Sequence, residues 1–381
     1  MKAIIVGGGI GGLSTAIALR RAGVEAAVFE RAPGPREVGA AVGLWSNAVL
    51  VLKSLGLYAS VRALGAEIGA EIRSWRGRKL FELSAEELRE RYGEANLLVH
   101  RAHLQSALLS TLPEETVRFG AHCVSFSQDG AGVTARFADG RTERGDLLVG
   151  ADGLRSNVRA SLLDDGPPRY AGLTAWRGIA LSAEGFAPEK AGLELWGRGT
   201  EVGVMSLGGG RAYWYATKNV PEGAAESPAG RKREVLDLLR GWYGPARAAV
   251  EATEDAKILR TDIYDREPAN RRWGEGRVTL LGDAAHPMTP HLGQGACQAI
   301  EDAAVLADCL RDAEGAPAAA LRRYEVRRAP RTATIVRNSR RTGRLLQFEN
   351  PLLCGLRDSL VGAFPQSLLL RQMDRVIGYK V

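Results

Sequence analysis

The sequence has few of the residue patterns that mark secreted, metal-binding or membrane proteins. Four cysteines occur in 381 residues and form no CxxC pair, so we expect no disulfide framework and a reducing, cytoplasmic location. The histidines show no HxxxH or HExxH arrangement, and no metal site is predicted. Beyond the glycine-broken N-terminus, no uninterrupted apolar run reaches the roughly 18 residues of a membrane span. These absences indicate a cytoplasmic globular protein.

The charge balance is basic but does not indicate one kind of partner. The chain has 51 Lys and Arg against 44 Asp and Glu, a net charge of +7. Arginines are dense between Arg322 and Arg344, where Tyr324 is the single aromatic residue. A nucleic-acid site needs a recognisable motif or more stacking aromatics, so we predict no nucleic-acid partner. A solvated helix face is the preferred interpretation, and attraction of an anionic cofactor or substrate is the alternative.

The first thirty residues carry a dinucleotide-binding pattern. An apolar strand over 3–6 leads into a turn with the Gly7-x-Gly9-x-x-Gly12 spacing. A helix predicted over 13–22 then precedes a strand that ends at Glu30. The first glycine permits a tight turn, the second lets the backbone approach a pyrophosphate, and the third lets helix and strand pack closely. The acid is placed to accept ribose hydroxyls. The pattern does not distinguish FAD from NAD, and a loop with only a packing role is the alternative.

A second candidate cofactor segment surrounds Asp283. An apolar strand over 277–281 is followed by Gly282 and Asp283, and after Pro290 the residues 293–295 lead into a helix predicted over 296–310. An acid at the carboxyl end of a strand lies where ligands collect in open α/β sheets, and the start of the next helix would stabilise negative charge. An exposed aspartate in an ordinary strand–loop–helix unit is the alternative.

These segments in combination resemble the single-component (class A) FAD-dependent flavoprotein monooxygenases that have the para-hydroxybenzoate hydroxylase fold. The resemblance runs from residue 1 to about 358 and rests on four stretches in order: 7–12 with Glu30, Arg101 with Leu104 and Leu108, Asp152-Gly153 with Ser156 and Arg159, and 282–295. It implies FAD-binding roles for Gly7, Gly9, Gly11, Gly12, Glu30, Arg31, Arg101, Val124, Asp152, Gly282, Asp283, Gly293, Gln294, Gly295, Ala296 and Cys297.

Some of these implied roles have plain alternatives. Arg101 is expected to contact FAD and Val124 to contact the adenine through its backbone, whereas Arg31 is equally well explained as a surface charge. The resemblance credits Asp152 with supporting both FAD and NAD(P)H, and a simple strand-to-helix turn is the alternative. Cys297 is expected to be inert, with its backbone N–H rather than its thiol toward the flavin ring.

The candidate catalytic residues are Pro290 and His291. Pro290 resembles the proline that lies beside the flavin ring in this family. His291 stands where many relatives carry Asn or Asp, just as Cys297 stands where many carry Asn. His291 is a candidate proton relay, and an imidazole with only a packing role is the alternative.

The middle of the chain predicts short strands with aromatic residues. Strands are expected over 173–180, 193–196, 202–207 and 212–218, the last two joined as a hairpin. The pocket candidates are Trp45, Trp176, Tyr213 and Tyr215, with an aromatic sheet core as the alternative. The predicted fold is α/β: a Rossmann-like FAD-binding domain (1–70, 95–168 and 270–345), an inserted mixed β-sheet substrate domain (71–94 and 169–269) and a C-terminal helical segment (346–381).

The implied function is that of an FAD-dependent monooxygenase. NADPH or NADH is expected to bind transiently, because the sequence has a single dinucleotide pattern. Reduction by hydride transfer and reaction with dioxygen would form a flavin C4a-hydroperoxide, which hydroxylates a small aromatic or cyclic substrate in a water-excluding pocket. An FAD-dependent epoxidase or dehydrogenase on the same fold, or a non-catalytic binding protein, are the alternatives. Substrate identity, the choice of NADH or NADPH, the catalytic base and the oligomeric state stay open.

Overall fold

The computed structural model describes residues 1–35, 40–182, 185–186, 190–227, 229–268, 272–311, 313, 315–379 and 381. Helices α1 to α12 span, in chain order, Ile10–Arg21, Ser46–Ser54, Tyr58–Arg62, Ala85–Tyr92, Arg101–Ser110, Asn157–Leu163, Arg231–Leu238, Gly244–Glu251, Gly295–Arg311, Pro317–Leu346, Pro351–Ala363 and Gln366–Ile377. Strands β1 to β17 span Lys2–Val6, Glu25–Phe29, Ala41–Leu44, Gly65–Ser74, Lys79–Leu83, Asn96–His100, Val117–Arg118, Cys123–Gln128, Val133–Phe137, Thr142–Gly145, Leu147–Gly150, Arg169–Ala180, Ala191–Trp196, Thr200–Gly208, Arg211–Asn219, Leu259–Asp265 and Val278–Leu280. Short 3₁₀ turns lie at Glu114–Thr116, Asp255–Lys257, Gly282–Ala284 and Pro290–Leu292.

A parallel sheet in the order β17–β11–β1–β2–β7 forms the first layer. Strand β1 is almost wholly apolar and buried, as expected for a strand that is covered on both faces. Helix α1 packs against β2 and α9. The strand and helices predicted over 3–6, 13–22 and 296–310 are confirmed as β1, α1 and α9. Helix α1 begins earlier than predicted, at Ile10, because two glycines belong to its first turn.

The register of the parallel sheet brings three loops to one edge. Val6 lies opposite Gly150, and Gly150 lies opposite Leu280, so β1, β11 and β17 end side by side. Ligands in open α/β folds bind at this carboxyl edge. The loops that meet there are 7–9, 151–153 and 281–283.

The second layer is a larger mixed sheet in the order β16–β12–β15–β14–β13–β4–β6–β3, with β5 paired to β4. Strands β13 and β4 are parallel, and β14 and β15 form the predicted antiparallel hairpin. Helices α7 and α8 cover one face and bury Trp176 and Trp214 among aliphatic side chains. The other face lines a cavity with the loops of the parallel sheet.

Strands β3 and β6 and the start of β4, which lie in the predicted cofactor ranges 1–70 and 95–168, pair within the larger sheet. Their backbone N–H and C=O groups find their partners in this antiparallel ladder. The predicted boundary between 269 and 270 lies outside the described residues.

The C-terminal part of the chain is helical, as predicted. Helix α10 packs along α9, and α11 and α12 follow it. A small antiparallel sheet, β10–β9–β8, completes the α/β architecture, and the predicted fold class is confirmed. Among the helices that the structure describes, none combines the length and hydrophobicity needed to cross a bilayer.

One arginine of α10 corrects the expectation of a solvated helix face. Arg328 is fully buried and makes ion pairs with Glu301 and Asp302 of α9. Because a buried charge is stable only when it is paired and hydrogen-bonded, this arginine joins two helices rather than facing solvent.

Candidate active site

A cavity of about 490 Å³ lies between the carboxyl edge of the parallel sheet and the open face of the larger sheet. One wall contains Gly9, Gly11, Arg101, Gly153, Asp283 and residues 293–296. The other wall contains Glu194, Glu201, Met205, Tyr213 and Tyr215. A ligand held by the loops would therefore contact a ligand held by the larger sheet.

The glycine turn at the start of α1 is closed on one side and open on the other. A Cβ on Gly12 would lie 1.9 Å from the carbonyl oxygen of Gly7, whereas a Cβ on Gly9 would meet no atom within 4 Å. Gln105, which the sequence did not single out, donates from Nε2 to the Gly8 carbonyl at 2.8 Å and holds the turn. The first N–H groups of α1 therefore face an open space suited to a phosphate.

Glu30 lies beside this turn, at the end of β2. Its Oε2 accepts from the Gly8 amide at 2.6 Å, and its Oε1 accepts from the Ala32 amide at 2.8 Å. Each carboxylate oxygen has a second acceptor position, so the side chain can still bind a hydroxyl group.

Asp283 is exposed to the cavity in the loop after β17. A Cβ on Gly295, the first residue of α9, would lie 3.8 Å from Asp283 Oδ1, so the carboxylate lies next to the start of that helix. The loop is held from behind. The Gly282 amide donates to Asp302 Oδ2 at 3.0 Å, and the buried Arg159 donates to two carbonyl groups of the loop.

Asp302 is the centre of a buried charge network behind the loop. It accepts from Arg328 Nε at 2.6 Å, and its Oδ2 lies 2.6 Å from His286 Nε2. Burial alone would raise the pKa of Asp302, but His286 and Arg328 outweigh burial and lower the pKa to about 2. Asp302 is therefore charged at neutral pH and keeps the loop that carries Asp283 in place.

Three predicted cofactor residues use their side chains for contacts within the protein. Gln294 Oε1 accepts from Asn47 Nδ2 at 3.0 Å. Cys297 Sγ lies 3.4 Å from the Trp45 amide, and burial raises the pKa of its thiol to about 12, so it is unreactive. Asp152 accepts from the first amide of α6 at 2.8 Å, and burial raises its pKa.

Of three further predicted cofactor side chains, one lines the cavity and two lie away from its lining. Arg101, the first residue of α5, lines the cavity. Arg31 is exposed after β2, and the Val124 side chain is 45% exposed on β8. Neither Arg31 nor Val124 contributes to the lining of the cavity in the described part of the chain.

The aromatic wall of the cavity is built by β15. Tyr213 and Tyr215 face the cavity with their ring centres 6.2 Å apart, and Trp45, at the start of α2, also lines it. The pocket prediction is corrected for Trp176, which is fully buried beneath α7 and α8 on the opposite face. The register gives the reason, because Arg177 lies opposite Tyr215 on the neighbouring strand and Trp176 therefore points the other way.

Pro290 and His291 lie in the 3₁₀ turn that precedes α9. Pro290 is exposed at the cavity, whereas the His291 side chain is 1% exposed and its Nδ1 lies 2.9 Å from Glu201 Oε2. Glu194 and Glu201, which the sequence reasoning missed, line the same cavity. The available signal was the presence of an acid inside each of two otherwise mainly apolar strands, β13 and β14.

A wider cleft of about 920 Å³ adjoins the cavity and shares Arg177 with it. It is lined by parts of α5 and β12 and by residues just before β16. Its charged lining includes Arg211 and Lys257 together with Glu254. The excess of cations makes this cleft suited to an anionic ligand.

Comparisons with known proteins identify the family of this chain. The sequence profile of the family described as FAD binding domain matches residues 1–339. The aurachin C monooxygenase/isomerase of Stigmatella aurantiaca is 44% identical over 362 residues, which are 95% of this chain and 94% of that protein. The chain belongs to the FAD-dependent flavoprotein monooxygenases. It is therefore an enzyme with FAD as its cofactor, and the predicted family is confirmed.

Further flavoprotein monooxygenases match along nearly the whole chain. The 3-amino-4-hydroxybenzoate 2-monooxygenase of Streptomyces cremeus is 38% identical over 369 residues, which are 95% of this chain and 92% of that protein. The structure of Klebsiella pneumoniae HpxO complexed with FAD and uric acid superposes with a TM-score of 0.93 at 33% identity. The match covers 99% of this chain and 96% of that one.

Proposed function

We propose that this flavoprotein monooxygenase uses NAD(P)H and dioxygen to hydroxylate a small, flat aromatic or heterocyclic ring. One observation carries the proposal: a single cavity connects the glycine turn of α1, Asp283 and the start of α9 with the aromatic face of β15. A cofactor held along the loops would meet a ring that packs on Tyr213 and Tyr215. The names of two relatives refer to flat rings, 3-amino-4-hydroxybenzoate and uric acid, and support this substrate class.

The residues of the cavity fit an FAD. The open side of Gly9 leaves room for a pyrophosphate at the start of α1, and Glu30 would accept ribose hydroxyls. Asp283 would bind the polyol chain, and the amides of Gly295 and Ala296 would face the ring. When bound, FAD would accept a hydride from NAD(P)H and activate dioxygen for transfer of one oxygen atom, by the route that the family resemblance implies.

The protein contributes placement, charge and exclusion of water. The start of α9 is the positive end of a 17-residue helix, which favours negative charge at the cavity. Pro290 limits the conformations of the loop before it. Ile68, Leu98 and Met205 give the larger sheet an apolar lining, which would keep water from the reacting atoms.

The division of the chain between cofactor and substrate is part of this proposal. We propose that residues 1–70, 95–168 and 270–345 serve mainly the FAD, that 71–94 and 169–269 serve mainly the substrate, and that 346–381 support both. Within the predicted cofactor set, Asp152 and Cys297 would act through the backbone that they hold, and Gln294 through its contact with the Asn47 side chain. Arg31 and Val124 would contact only the nucleotide end, since they lie apart from the cavity lining.

The reductant would use the basic cleft beside the cavity. Arg211 and Lys257 give it positive charge, and Arg177 connects it to the cavity. A nicotinamide dinucleotide is anionic and would be attracted there without a permanent binding domain.

The test is substrate-dependent oxygenation. The FAD-loaded protein is supplied with NADH or NADPH and a panel of flat aromatic and heterocyclic compounds, and NAD(P)H oxidation, oxygen uptake and product mass are measured. We expect at least one compound to stimulate oxygen uptake and to gain one oxygen atom that derives from labelled dioxygen. Turnover with no oxygenated product for any compound would refute the proposal.

A further inference from the structure

The substrate side of the cavity contains a cluster of two carboxyls, a phenol and an imidazole. Tyr215 Oη lies 2.8 Å from Glu201 Oε1 and 3.3 Å from Glu194 Oε1. His291 Nδ1 lies 2.9 Å from Glu201 Oε2. All four residues line the cavity, and the two glutamates hold no part of the cofactor in the proposal above.

The register of three adjacent strands builds this cluster. Glu194 on β13 lies opposite Gly203 on β14, and Gly203 lies opposite Tyr215 on β15. A Cβ on Gly203 would lie 2.1 Å from Tyr215 Cε1, so the glycine lets the phenol ring lie across β14. Glu201 precedes Gly203 by two residues and shares its face of the sheet. The phenol oxygen therefore reaches both carboxyls.

The two carboxyls share a single hydroxyl proton from Tyr215, so they differ in their hydrogen bonding. Tyr215 has one hydroxyl proton, and the shorter contact assigns it to Glu201. The longer contact with Glu194 is also satisfied when that carboxyl is protonated and donates to Tyr215 Oη in turn. In agreement, burial and the charge of Glu201 raise the pKa of Glu194 to about 8. The pair therefore offers one neutral donor, Glu194, and one acceptor, Glu201.

The other charges of the cavity stand apart from this pair. Arg177 lies on β12, and the strand order β12–β15–β14–β13 places Tyr215 between it and the two glutamates. A ring that packs on Tyr215 toward β14 therefore meets the carboxyl pair first. The other fully charged lining residues belong to the cofactor wall: Arg101 and Asp283.

We propose that Glu194 and Glu201 together recognise the substrate and select a neutral ring in which an N–H or O–H group adjoins a carbonyl group or a ring nitrogen. Glu201 accepts the N–H or O–H, and Glu194 turns its proton from Tyr215 to the carbonyl oxygen or ring nitrogen. A ring carboxylate meets the charge of Glu201 at short range and is rejected. This inference rests on the proposed function and narrows its substrate class to neutral hydroxy- or oxo-heteroaromatic rings.

The test compares a matched pair of ligands, 2-hydroxypyridine and 6-hydroxypyridine-2-carboxylate, by calorimetric titration of the FAD-loaded protein near neutral pH. We expect the neutral ring to bind roughly tenfold more tightly or better, because a hydrogen bond to a charged acceptor replaces a like-charge contact. Glu201→Gln keeps the shape and removes the charge, and should reduce the preference to about threefold or less. Glu90→Gln, on the exposed side of α4, is the matched control and should leave the preference unchanged.

The second arm of the test follows pH. Glu194 is neutral below its raised pKa of about 8, so binding of the neutral ring to the native protein should weaken as pH rises through that value. In Glu194→Gln this pH dependence should disappear. FAD content and melting temperature of each variant confirm that it is folded and loaded.

The outcomes separate the inference from the function on which it rests. Equal or tighter binding of the carboxylate to the native protein, an unchanged preference in Glu201→Gln, or no binding of either ring would overturn the inference. The search for an oxygenated product over the wider panel is independent of these results. Selective binding of the neutral ring, with no product from any compound of that panel, would support the recognition and refute the proposed function.

Discussion

Replacement of Gly343 by alanine should destabilise the protein, although the same exchange inside a helix usually stabilises. Gly343 lies in α10, and the new Cβ would lie 2.4 Å from Cδ2 and 2.6 Å from Nε2 of His291. The His291 side chain is 1% exposed and its other ring nitrogen contacts Glu201. The imidazole therefore cannot move aside without losing that hydrogen bond.

The expected loss of stability follows from three contributions. Overpacking of a filled site costs about 1–3 kcal/mol. Loss of a hydrogen bond to a carboxylate costs about 1.5–3 kcal/mol. The gain in helix propensity from glycine to alanine offsets about 1 kcal/mol. We expect the free energy of unfolding to fall by about 1.5–5 kcal/mol.

The assay is urea unfolding of the FAD-loaded protein, with Gly355→Ala as the matched control. A Cβ on Gly355, in α11, would meet no atom within 4 Å, so that exchange should stabilise by about 0.5–1 kcal/mol. In a His291→Ala background the cost of Gly343→Ala should vanish. If Gly343→Ala stabilises the native protein as the control does, the fixed contact between α10, His291 and Glu201 does not exist.

Other substitutions test other parts of the site. Asp302→Asn leaves the buried Arg328 undercompensated and should cost about 3–5 kcal/mol in urea unfolding. In the native protein this carboxylate stabilises above its unfolded pKa near 4, and the contribution is lost as pH falls toward about 2, so an acid transition centred near pH 6 would contradict its role. Asp283→Ala should lower the flavin absorbance of the purified protein, and full FAD occupancy would count against the assigned contact. Lys257→Ala should raise the KM for NADPH several-fold with little change in kcat, and an unchanged KM would exclude the cleft as the binding place. Cys297 should resist iodoacetamide near pH 8 until the protein is unfolded, as measured by mass spectrometry, because its pKa is about 12. Rapid labelling of the folded protein would show that the thiol is accessible.

The cofactor loops were predictable because their signals are local. Gly7, Gly9 and Gly12 follow a strand and open a helix, and each has a role that its own sequence neighbourhood defines. Asp283 follows a strand in the same way. The sheet register that joins these two loops through β11 agrees with the general rule that ligands bind at the carboxyl edge of parallel strands.

The substrate side was less predictable because it depends on strand order and on the face of each strand. Alternation shows that Trp176 and Arg177 point opposite ways, but the sequence does not say which of them faces a ligand. Glu194 and Glu201 lie on different strands and meet only because Tyr215 reaches across β14. No spacing along the chain encodes that contact.

The burial of one arginine could not be seen in the sequence for a similar reason. Arg328 belongs to a dense run of arginines, and most members of such a run face solvent. Its carboxylate partners, Glu301 and Asp302, lie on the preceding helix α9. Only the packing of α10 along α9 brings these charges together.

The hydrogen bonds from Gly282 to Asp302 and from Arg328 to Asp302 have a consequence for biosynthesis. A ribosome makes the glycine turn first and Arg328 more than three hundred residues later. A nascent chain that stops after α9 would contain every glycine and acid of the cofactor loops. In such a chain the loop of Asp283 would be hydrogen-bonded to Asp302, but Arg328, the ion-pair partner of Asp302, would be missing. After purification, chains translated through α10 should therefore be yellow, and chains that end after α9 should be colourless.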